Sequence, residues 1–382
     1  MAIIKSANID RIIWCIGDRN ITAEDLAAEI KMHEEKLHAV LRGEADLSLT
    51  QLKKIAKFFN RGLLFFIAES EVNETELRTS GFRTLSNEYP QIDPHIKALI
   101  ERVERQRRIF LDLREELREE ETQTFLPPAV PHDDPKAAAE IIRKWLPLNG
   151  ERTFESYRRG LESRGVLVFR SNGYIGAWQV PKESEIEGFA IYHKQFPIIF
   201  VKKQEAKTRE LFTLAHELGH LVLDRAGSID NADNIFAPKG KEREVNAFAG
   251  YLLVSDEALK EIDIHGKPAT ADEFEIWLKQ PAQACGVSVE VVLLRLLDKK
   301  QISREEYEDY KDWKKLQTRP ERSVGARNYR YREPVNVFGR PFVGTVLEAL
   351  GTKQITIVKA SRYLDNIKIA DVHKLEKEFN AF

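Results

Sequence analysis

His216 and His220 lie four positions apart, and this spacing restricts the surrounding segment to a helix if both imidazoles are to hold one zinc ion. Residues 208–223 fit such a helix, because apolar residues recur at spacings of three and four. These residues are Leu211, Leu214, Ala215, Leu218, Leu221 and Val222. Glu217 lies between the histidines, where its carboxylate could act on zinc-bound water. The pattern predicts a metal-binding helix with one buried stripe.

A catalytic zinc ion needs a third protein ligand, and two histidines with one glutamate form a standard set. The next segment with helical periodicity, residues 242–253, offers two carboxylates. We predict Glu242 as the ligand and keep Glu244 as the alternative. Glu242 shares a helix face with Asn246 at i+4, and we predict that Asn246 orients a ligand through a hydrogen bond. Without the upstream motif, either glutamate would be read as part of a solvated helix face.

The two segments resemble the ImmA/IrrE metallopeptidases, a branch of the zincins. The resemblance rests on residues 209–221, RELFTLAHELGHL, and on residues 242–249, EREVNAFA. It extends upstream to the apolar segments 165–169 and 197–201, and it covers residues 130–260 in rough outline. One departure is visible, since the family often ends its second helix with Leu-Leu-Met-Pro where this chain has Leu-Leu-Val-Ser.

Such a ligand set predicts the chemistry of the site. Zinc held by His216, His220 and Glu242 would lower the pKa of its bound water to about 7. Glu217 would take a proton from that water and pass it to the leaving amine. The sequence does not choose among three candidates for stabilising the oxyanion, which are Tyr192, His193 and Tyr251.

The length and composition limit the class of protein. A chain of 382 residues is expected to form two or three domains. A hydrophobic share of 42% and a net charge of -2 are typical of a soluble globular protein and give no overall sign of nucleic-acid binding. Cys15 and Cys285 match no disulfide or metal pattern. The N-terminal residues do not resemble a signal peptide, and no apolar run approaches the roughly 20 residues needed to span a bilayer. We therefore predict a cytoplasmic protein with no membrane contact.

Residues 1–70 are predicted to form an all-α domain that resembles the helix-turn-helix of lambda-repressor-like (XRE) proteins. One helix begins at Thr22 with a capping-type start, and Leu26, Ala27 and Ile30 form its apolar face. A second helix covers residues 34–41 and ends at Gly43, where glycine suits a left-handed cap. Ser48 and Thr50 open a third helix, whose predicted apolar face is Leu52, Ile55, Ala56 and Phe59.

DNA binding by this domain is left open by the sequence. If helix 34–41 enters a DNA groove, its opening presents His33 and Lys36 as candidate DNA-binding residues, together with Glu34 and Glu35. Two adjacent carboxylates repel phosphates, and residues 1–70 hold ten basic and ten acidic side chains. A protein-binding or dimerising role therefore stands beside operator binding, and a homodimer is one assembly that it allows.

The remaining chain divides into three predicted regions. Residues 71–126 form a helical linker, because 93–122 has the pattern of one long charged helix with an apolar stripe. Residues 127–305 form an α+β, zincin-like metallopeptidase domain. Its predicted helices cover 137–145, 153–164, 207–224, 241–253 and 271–297, and its predicted strands cover 166–170, 188–193 and 197–201.

Residues 306–382 are predicted as a basic segment followed by a small helical C-terminal region. Between Lys311 and Arg332 there are eight basic residues against two acidic ones, interleaved with aromatic side chains. Such a stretch can bind nucleic acid or an acidic partner, and it can also be a solvated loop.

Two functional hypotheses follow. The first is a zinc-dependent metalloendopeptidase that hydrolyses a peptide bond in one protein partner. The family resemblance implies that this partner is a transcriptional regulator of the XRE type, in a stress response, a mobile element or a toxin-antitoxin-like module. The second is a DNA- or protein-binding regulator or antitoxin whose zinc domain mainly serves partner recognition, with a toxin encoded nearby as its partner.

Overall fold

The computed structural model describes residues 3–4, 7–18, 21–59, 63–67, 94–117, 124–172, 176–180, 184, 186–224, 228–231, 241–317 and 330–379. These residues form two compact units, divided between Arg105 and Gln106 within one long helix. The predicted α+β class is confirmed, because the described chain is mostly helical and contains one four-stranded sheet.

The first unit contains a short strand pair and four short helices. The strands are β1 (Ile3–Ile4) and β2 (Leu47–Ser48), and the helices are α1 (Ile9–Asp18), α2 (Ala23–Ile30), α3 (Glu34–Leu41) and α4 (Leu49–Phe58). The predicted helix starts are confirmed. Thr22 and Asp25 cap α2 reciprocally, and Ser48 and Gln51 do the same for α4. Gly43 has φ +77° after α3, as its predicted left-handed role requires.

The apolar faces of these helices meet in one core. Its buried residues include Leu26, Ala27, Ile30, Leu37, Val40, Leu52, Ile55, Ala56 and Phe59. The faces predicted for α2 and α4 are thus the buried ones. The helix α1 adds Ile12 and Cys15 to this core, so the thiol of Cys15 is buried. Kinship of this unit with XRE proteins stays a prediction.

The long predicted helix forms α5 (Pro94–Glu116), and residues 93 and 118–122 of the prediction lie outside the described chain. Its apolar stripe is buried at Ile96, Leu99, Val103, Phe110 and Leu113. In the second unit, the Arg107 guanidinium donates to the backbone carbonyls of Gln195 and Phe196. The carboxyl-terminal half of α5 is therefore fixed to the turn that joins two strands of the sheet.

The second unit is built around the four-stranded sheet. Its strands are β3 (Leu167–Arg170), β4 (Ile186–Ile191), β5 (Ile198–Val201) and β6 (Ser228–Asn231), in the spatial order β3-β5-β4-β6. The strand β5 runs parallel to β3 and antiparallel to β4, and β6 is antiparallel to β4. The predicted pairing of the second and third strands is confirmed, with slightly different bounds.

Helices cover one face of this sheet. They are α6 (Pro135–Trp145), α7 (Phe154–Glu162), α8 (Lys207–Gly219) and α9 (Lys241–Leu253), and a π-helical turn, His220–Asp224, follows α8. Val168, Ala190 and Ile199 point from the sheet into the core that these helices share. The four helices agree with the predicted ones to within a few residues at their ends.

The other face of the sheet is covered by aromatic side chains. Phe169 of β3 lies edge-on to Phe338 and Phe342, with ring centroids 6.3 and 6.4 Å apart, and it also contacts Trp178. Phe338 and Phe342 belong to α15 (Glu333–Gly351), which packs along β3. The predicted C-terminal region therefore supplies a layer of the same compact unit as the zincin-like region.

The helix α15 bends at Gly339, which has φ +81°. The buried carboxylate of Glu162 accepts hydrogen bonds from the Arg158 Nε, at 3.0 Å, and from the backbone N–H of Arg340. It thereby caps the second half of α15, which carries Pro341 in its first turn, where proline is tolerated. Burial raises the pKa of Glu162 to about 7, against the opposing charge of Arg158.

The prediction of one helix over 271–297 is wrong. The segment forms a 3₁₀ turn and three helices, namely α11 (Phe274–Trp277), α12 (Lys279–Cys285) and α13 (Val289–Asp298), after the short α10 (Asp256–Lys260). Gly286 ends α12 with φ +68°, and Ser288 caps α13 by accepting from the N–H of Val291. The apolar periodicity runs on through both breaks, which hides them in the sequence.

The C-terminal helices are α14 (Arg304–Leu316), α15, α16 (Ile357–Tyr363) and α17 (Ile369–Phe379). Residues 318–329 of the basic stretch lie outside the described chain. Among its described members, Lys311, Lys314, Lys315 and Arg332 each form an ion pair with a carboxylate. These charges are thus partly balanced within the protein itself.

Candidate metal centre

The helix α8 carries the motif and is buried on all sides. Every residue from Glu210 to Gly219 is buried, so the prediction of a single buried stripe is wrong. The reason is its position between the sheet on one side and α7 and α9 on the others. Glu210, which is fully buried, accepts from Arg170 at 3.3 Å and from the backbone N–H of Gln204, and it holds the start of the helix.

Two glycines allow the close approach of this helix to its neighbours. A Cβ atom on Gly188 of β4 would lie 2.7 Å from Oε1 of Glu217 and 2.9 Å from the backbone oxygen of Phe200. A Cβ atom on Gly219 would lie 2.7 Å from Cγ1 of Val245 on α9. Contacts that short are not tolerated, so both positions require glycine for packing rather than for a left-handed φ.

Three potential ligand atoms converge between α8 and α9. The Nε2 atoms of His216 and His220 lie 3.2 Å apart. Oε2 of Glu242 is 3.3 Å from Nε2 of His216 and 3.7 Å from Nε2 of His220. Both histidines are buried, whereas the Glu242 side chain keeps 28% of its surface exposed. The Oε2 atom of Glu242 is itself buried, so the three potential ligand atoms meet inside the protein.

These distances fit a tetrahedral zinc site. Zinc bonds to nitrogen and oxygen measure about 2.0–2.2 Å, so tetrahedral geometry places ligand atoms roughly 3.3–3.6 Å apart. The three observed separations agree with this spacing to within about 0.1 Å. Two imidazoles and one carboxylate are also the donor types that zinc prefers, and three protein ligands leave a fourth position for water. The group formed by His216, His220 and Glu242 could hold a metal ion.

Asn246 orients one of the histidines. Its Oδ1 lies 2.9 Å from Nδ1 of His216. Because an amide oxygen only accepts, Nδ1 carries the proton and Nε2 presents its lone pair to the ligand group. Asn246 lies one turn after Glu242 on α9, so a single helix face provides both the carboxylate and the group that fixes the tautomer.

His220 occupies the junction between α8 and the π-helical turn. The α-helical pattern ends at Gly219, and the five residues from His220 to Asp224 follow the wider turn. Such turns are rare, and they occur frequently at functional sites. The turn also packs against β4. The local sequence gave no signal for this change in winding.

Glu217 is fully buried and lies on the side of α8 that faces β4. Its Oε1 is the atom that a side chain at position 188 would strike. The carboxylate therefore lies directly against the backbone of β4. Sequence reasoning missed Gly188, although a glycine inside a strand pattern indicates the close approach of another group.

Other predicted site residues lie elsewhere. Glu244 is exposed on α9, and the structure does not bring it to the ligand group. The Tyr251 hydroxyl donates to Asp298 at 2.7 Å, and the Arg295 guanidinium lies 3.9 Å from the ring centroid. Partial burial and this hydrogen bond raise the pKa of Tyr251 to about 12. Tyr251 is thus engaged by α13, which argues against its role as an oxyanion donor.

Tyr192 and His193 directly follow β4, and both are partly buried. Alternation along the strand places position 192 on the same face as Gly188 and Ala190, toward α8. Tyr192 packs against the core on that side.

Arginines hold the carboxyl-terminal end of α9. Arg143 donates to the backbone carbonyls of Tyr251 and Leu252, and Arg295 donates to that of Val254. Arg295 also pairs with Asp256 at 2.6 Å. Burial alone would raise the pKa of Asp256. Hydrogen bonds from Lys136, Lys299 and Arg295 outweigh this effect and hold the pKa well below its ordinary value. This network fixes the helix that carries Glu242 and Asn246.

The candidate DNA-binding residues lie at the N-terminal end of α3. His33 precedes the helix without capping it through its side chain, and residues 33–36 are all exposed. The four side chains thus form an accessible surface that carries one lysine, two glutamates and one histidine.

Comparison with protein families identifies the segment that carries the ligand group. Residues 162–297 match the family model of the IrrE N-terminal-like domain, Peptidase_M78. The match contains all three potential ligands and Glu217, and it supports a metallopeptidase-like function and the expected ImmA/IrrE resemblance. No curated protein matches the chain. In the described part of the chain, none of the helices has the length and apolar character needed to cross a membrane.

Proposed function

We propose that this protein is a zinc-dependent metalloendopeptidase that hydrolyses a peptide bond in a specific protein partner. The observation that carries the proposal is the convergence of His216, His220 and Glu242, with Glu217 between the two histidines. The family match over 162–297 supports the same reaction class.

The side chains of the site have distinct tasks in this reaction. Zinc, when bound, supplies a Lewis acid that acidifies water and polarises a peptide carbonyl. Glu217 accepts the proton of the attacking water and delivers it to the nitrogen of the leaving amine. Its enclosure between α8 and Gly188 of β4 fixes the carboxylate in place. Asn246 holds His216 in the tautomer that leaves Nε2 free to bind.

The proposed substrate is a transcriptional regulator of the XRE type, in line with the ImmA/IrrE resemblance. The N-terminal unit supports this choice, because a helical module of the same predicted kind could recruit such a protein by pairing with it. The cytoplasm, where such regulators act, is the proposed location.

The test measures metal content and proteolysis on the full chain. We expect one zinc per chain, and we expect cleavage of the XRE-type protein encoded beside this gene. Glu217→Gln should bind zinc but lower the cleavage rate at least about 100-fold, the usual contribution of a general base. Glu244→Gln is the matched control, because this exposed glutamate on α9 lies outside the ligand group. Absence of stoichiometric zinc, or unchanged cleavage by Glu217→Gln, would refute the proposal.

A second candidate function is a regulator or antitoxin in which the zinc domain mainly recognises a partner. The exposed opening of α3, residues 33–36, favours it as an accessible contact surface. A stable complex with an uncleaved partner, equally strong for Glu217→Gln and lost on His33→Ala with Lys36→Ala, would support this reading over proteolysis. Retention of operator DNA by the same unit, measured by gel shift, would identify the partner as DNA.

A further inference from the structure

The strand β4 is the part of the sheet that lies against Glu217. The carboxylate of Glu217 can approach β4 this closely because Gly188 has no side chain. The π-helical turn that begins with His220 packs against the same strand. An extended peptide commonly binds to an enzyme by main-chain pairing with a strand edge. At this site, such a peptide would need an edge of β4.

Both edges of β4 are already paired. One edge pairs with β5, from Gly188↔Val201 to Ile191↔Ile198. The other edge pairs with β6 over Ser228–Asn231, again in antiparallel orientation. Removal of β5 would break the centre of the sheet, whereas β6 is an outer strand of only four residues. The edge held by β6 is therefore the one that a peptide could take.

The register places β6 beside the candidate catalytic group. Asp230 is directly opposite Gly188, and Ser228 is opposite Ala190. Paired strands lie about 4.8 Å apart, so the backbone of β6 passes next to the residue that contacts Glu217. The pairing is irregular at one end, because the register shifts between Ile186 and Gly188. A shift of this kind leaves unpaired backbone and weakens the ladder at that end.

We propose that residues 228–231 occupy the peptide-binding edge of β4 as an intramolecular stand-in for an extended substrate, and that they must leave before a substrate can pair there. The proposal rests on the metallopeptidase function, because only then is the displacing peptide a substrate. The occupant is this chain's own segment between the two ligand helices, since β6 lies between His220 and Glu242 in sequence. The substrate class that it implies is an unfolded or extended segment of a protein.

A peptide with the sequence of residues 226–233 tests the proposal directly. The measurement is fluorescence anisotropy of the labelled peptide with the zinc-loaded full chain, in a Glu217→Gln background that prevents turnover. Ser228→Pro and Asp230→Pro each remove a backbone donor from the side of β6 that pairs with Ala190 and Gly188. We expect both variants to bind the peptide at least ten times more tightly than the parent. Ile229→Ala keeps the amide and is the matched control, which should bind like the parent.

A second measurement does not depend on the folding of the proline variants. Hydrogen exchange is followed on the parent chain at saturating peptide. The proposal requires faster exchange at residues 228–231 while β4 stays protected, because the peptide replaces the strand. Peptide binding without faster exchange at 228–231 would overturn it, since the peptide would then lie elsewhere. Equal affinity of the folded proline variants and the parent would also overturn it.

The outcome for turnover separates this inference from the proposed function. If the proline variants bind the peptide more tightly but no form of the chain hydrolyses peptides, the peptidase function fails and the occupied edge stands. If the wild-type chain hydrolyses its substrate and the proline variants bind no more tightly, only the present inference fails.

Discussion

At the level of single residues, the ligand group shows what helical spacing can and cannot predict. His216, His220 and the pair Glu242 and Asn246 each follow from i to i+4 geometry, which depends only on neighbours in sequence. The structure brings these residues together at distances that fit one metal ion. Gly188 could not be placed in the same way, because its contact with Glu217 is made across the sheet and depends on tertiary packing.

Gly188→Ala is expected to disturb the site without changing any of its functional groups. The new methyl group would overlap Glu217 and the backbone oxygen of Phe200, so β4 or α8 must move. We expect a loss of about 1–3 kcal/mol in the free energy of unfolding, as for overpacked cores. Cleavage should fall with it, because Glu217 shifts relative to the ligands. Urea denaturation and the cleavage rate check both effects.

Gly250→Ala is the control for that substitution. Gly250 lies on α9, and its added carbon would meet only the Arg295 side chain, at 3.4 Å. This variant should keep both stability and cleavage close to wild type. Similar losses in the two variants would mean that an added methyl group anywhere in this part of the core, and not the contact with Glu217, explains the effect.

At the level of elements, the spacing between α8 and α9 sets the position of Glu242 relative to the histidines. Gly219→Ala places a carbon 2.7 Å from Cγ1 of Val245, whose branched side chain cannot turn away. We expect the helices to separate and the affinity for zinc to fall. Competition with a chromophoric chelator measures this change.

Val245→Ala in the same chain provides the rescue. It removes the methyl group that Gly219→Ala strikes, so the double variant should recover part of the lost zinc affinity. The two substitutions should therefore be non-additive, as expected for residues in direct contact. Additive losses would show that the two helices do not meet through this pair.

The cap on the second half of α15 predicts a dependence of stability on pH. The pKa of Glu162 is raised from 4.5 to about 7 in the folded protein, so the folded state holds the proton more tightly than the unfolded chain. The contribution of Glu162 to stability is complete below pH 4.5 and declines as the pH rises to about 7. In Glu162→Gln this decline should vanish. The Tm of the variant minus that of the wild type should therefore rise between pH 5 and pH 8.

A matched control is Glu348→Gln, because Glu348 is an exposed glutamate on α15, the helix that Glu162 caps. Its Tm difference from the wild type should stay constant over the same range. A constant difference for Glu162→Gln as well would contradict the assigned role of the buried carboxylate.

Element boundaries were predictable where capping residues and apolar periodicity agree. Thr22, Ser48 and Thr153 each open a helix close to where the sequence predicts one. The prediction of one helix over 271–297 failed because the apolar pattern continues across Gly286, which ends one helix, and Ser288, which caps the next. There the turn residues were the better guide, and the periodicity concealed them.

At the level of the whole molecule, one face of the sheet is covered by residues outside the family match. Phe338 and Phe342 lie beyond residue 297, and they cover the face of the sheet opposite α8. The apolar stripe of residues 342–350 predicts that this helix is buried against something. Periodicity identifies the buried face of a helix but carries no information on its partner, so the sequence alone suggested a separate C-terminal region.

Phe342→Ala tests this architecture. The side chain is fully buried and contacts Phe169 and Phe110. We expect a loss of about 3–5 kcal/mol in the free energy of unfolding, as for other buried phenylalanines. Val358→Ala, at a position that is 49% exposed, should change stability by less than about 0.5 kcal/mol. Equal small effects would show that α15 is not part of the core.

Because the potential ligands lie on two helices, a bound metal ion would cross-link those helices reversibly. His220 and Glu242 are twenty-two positions apart, so an ion bound to both closes a loop that the unfolded chain would leave open. Binding to the folded form alone adds about 2.7 kcal/mol of stability at a free zinc concentration one hundred times Kd. The survival of the chain against cellular proteases would then track the zinc supply of the cell, apart from any reaction at the site.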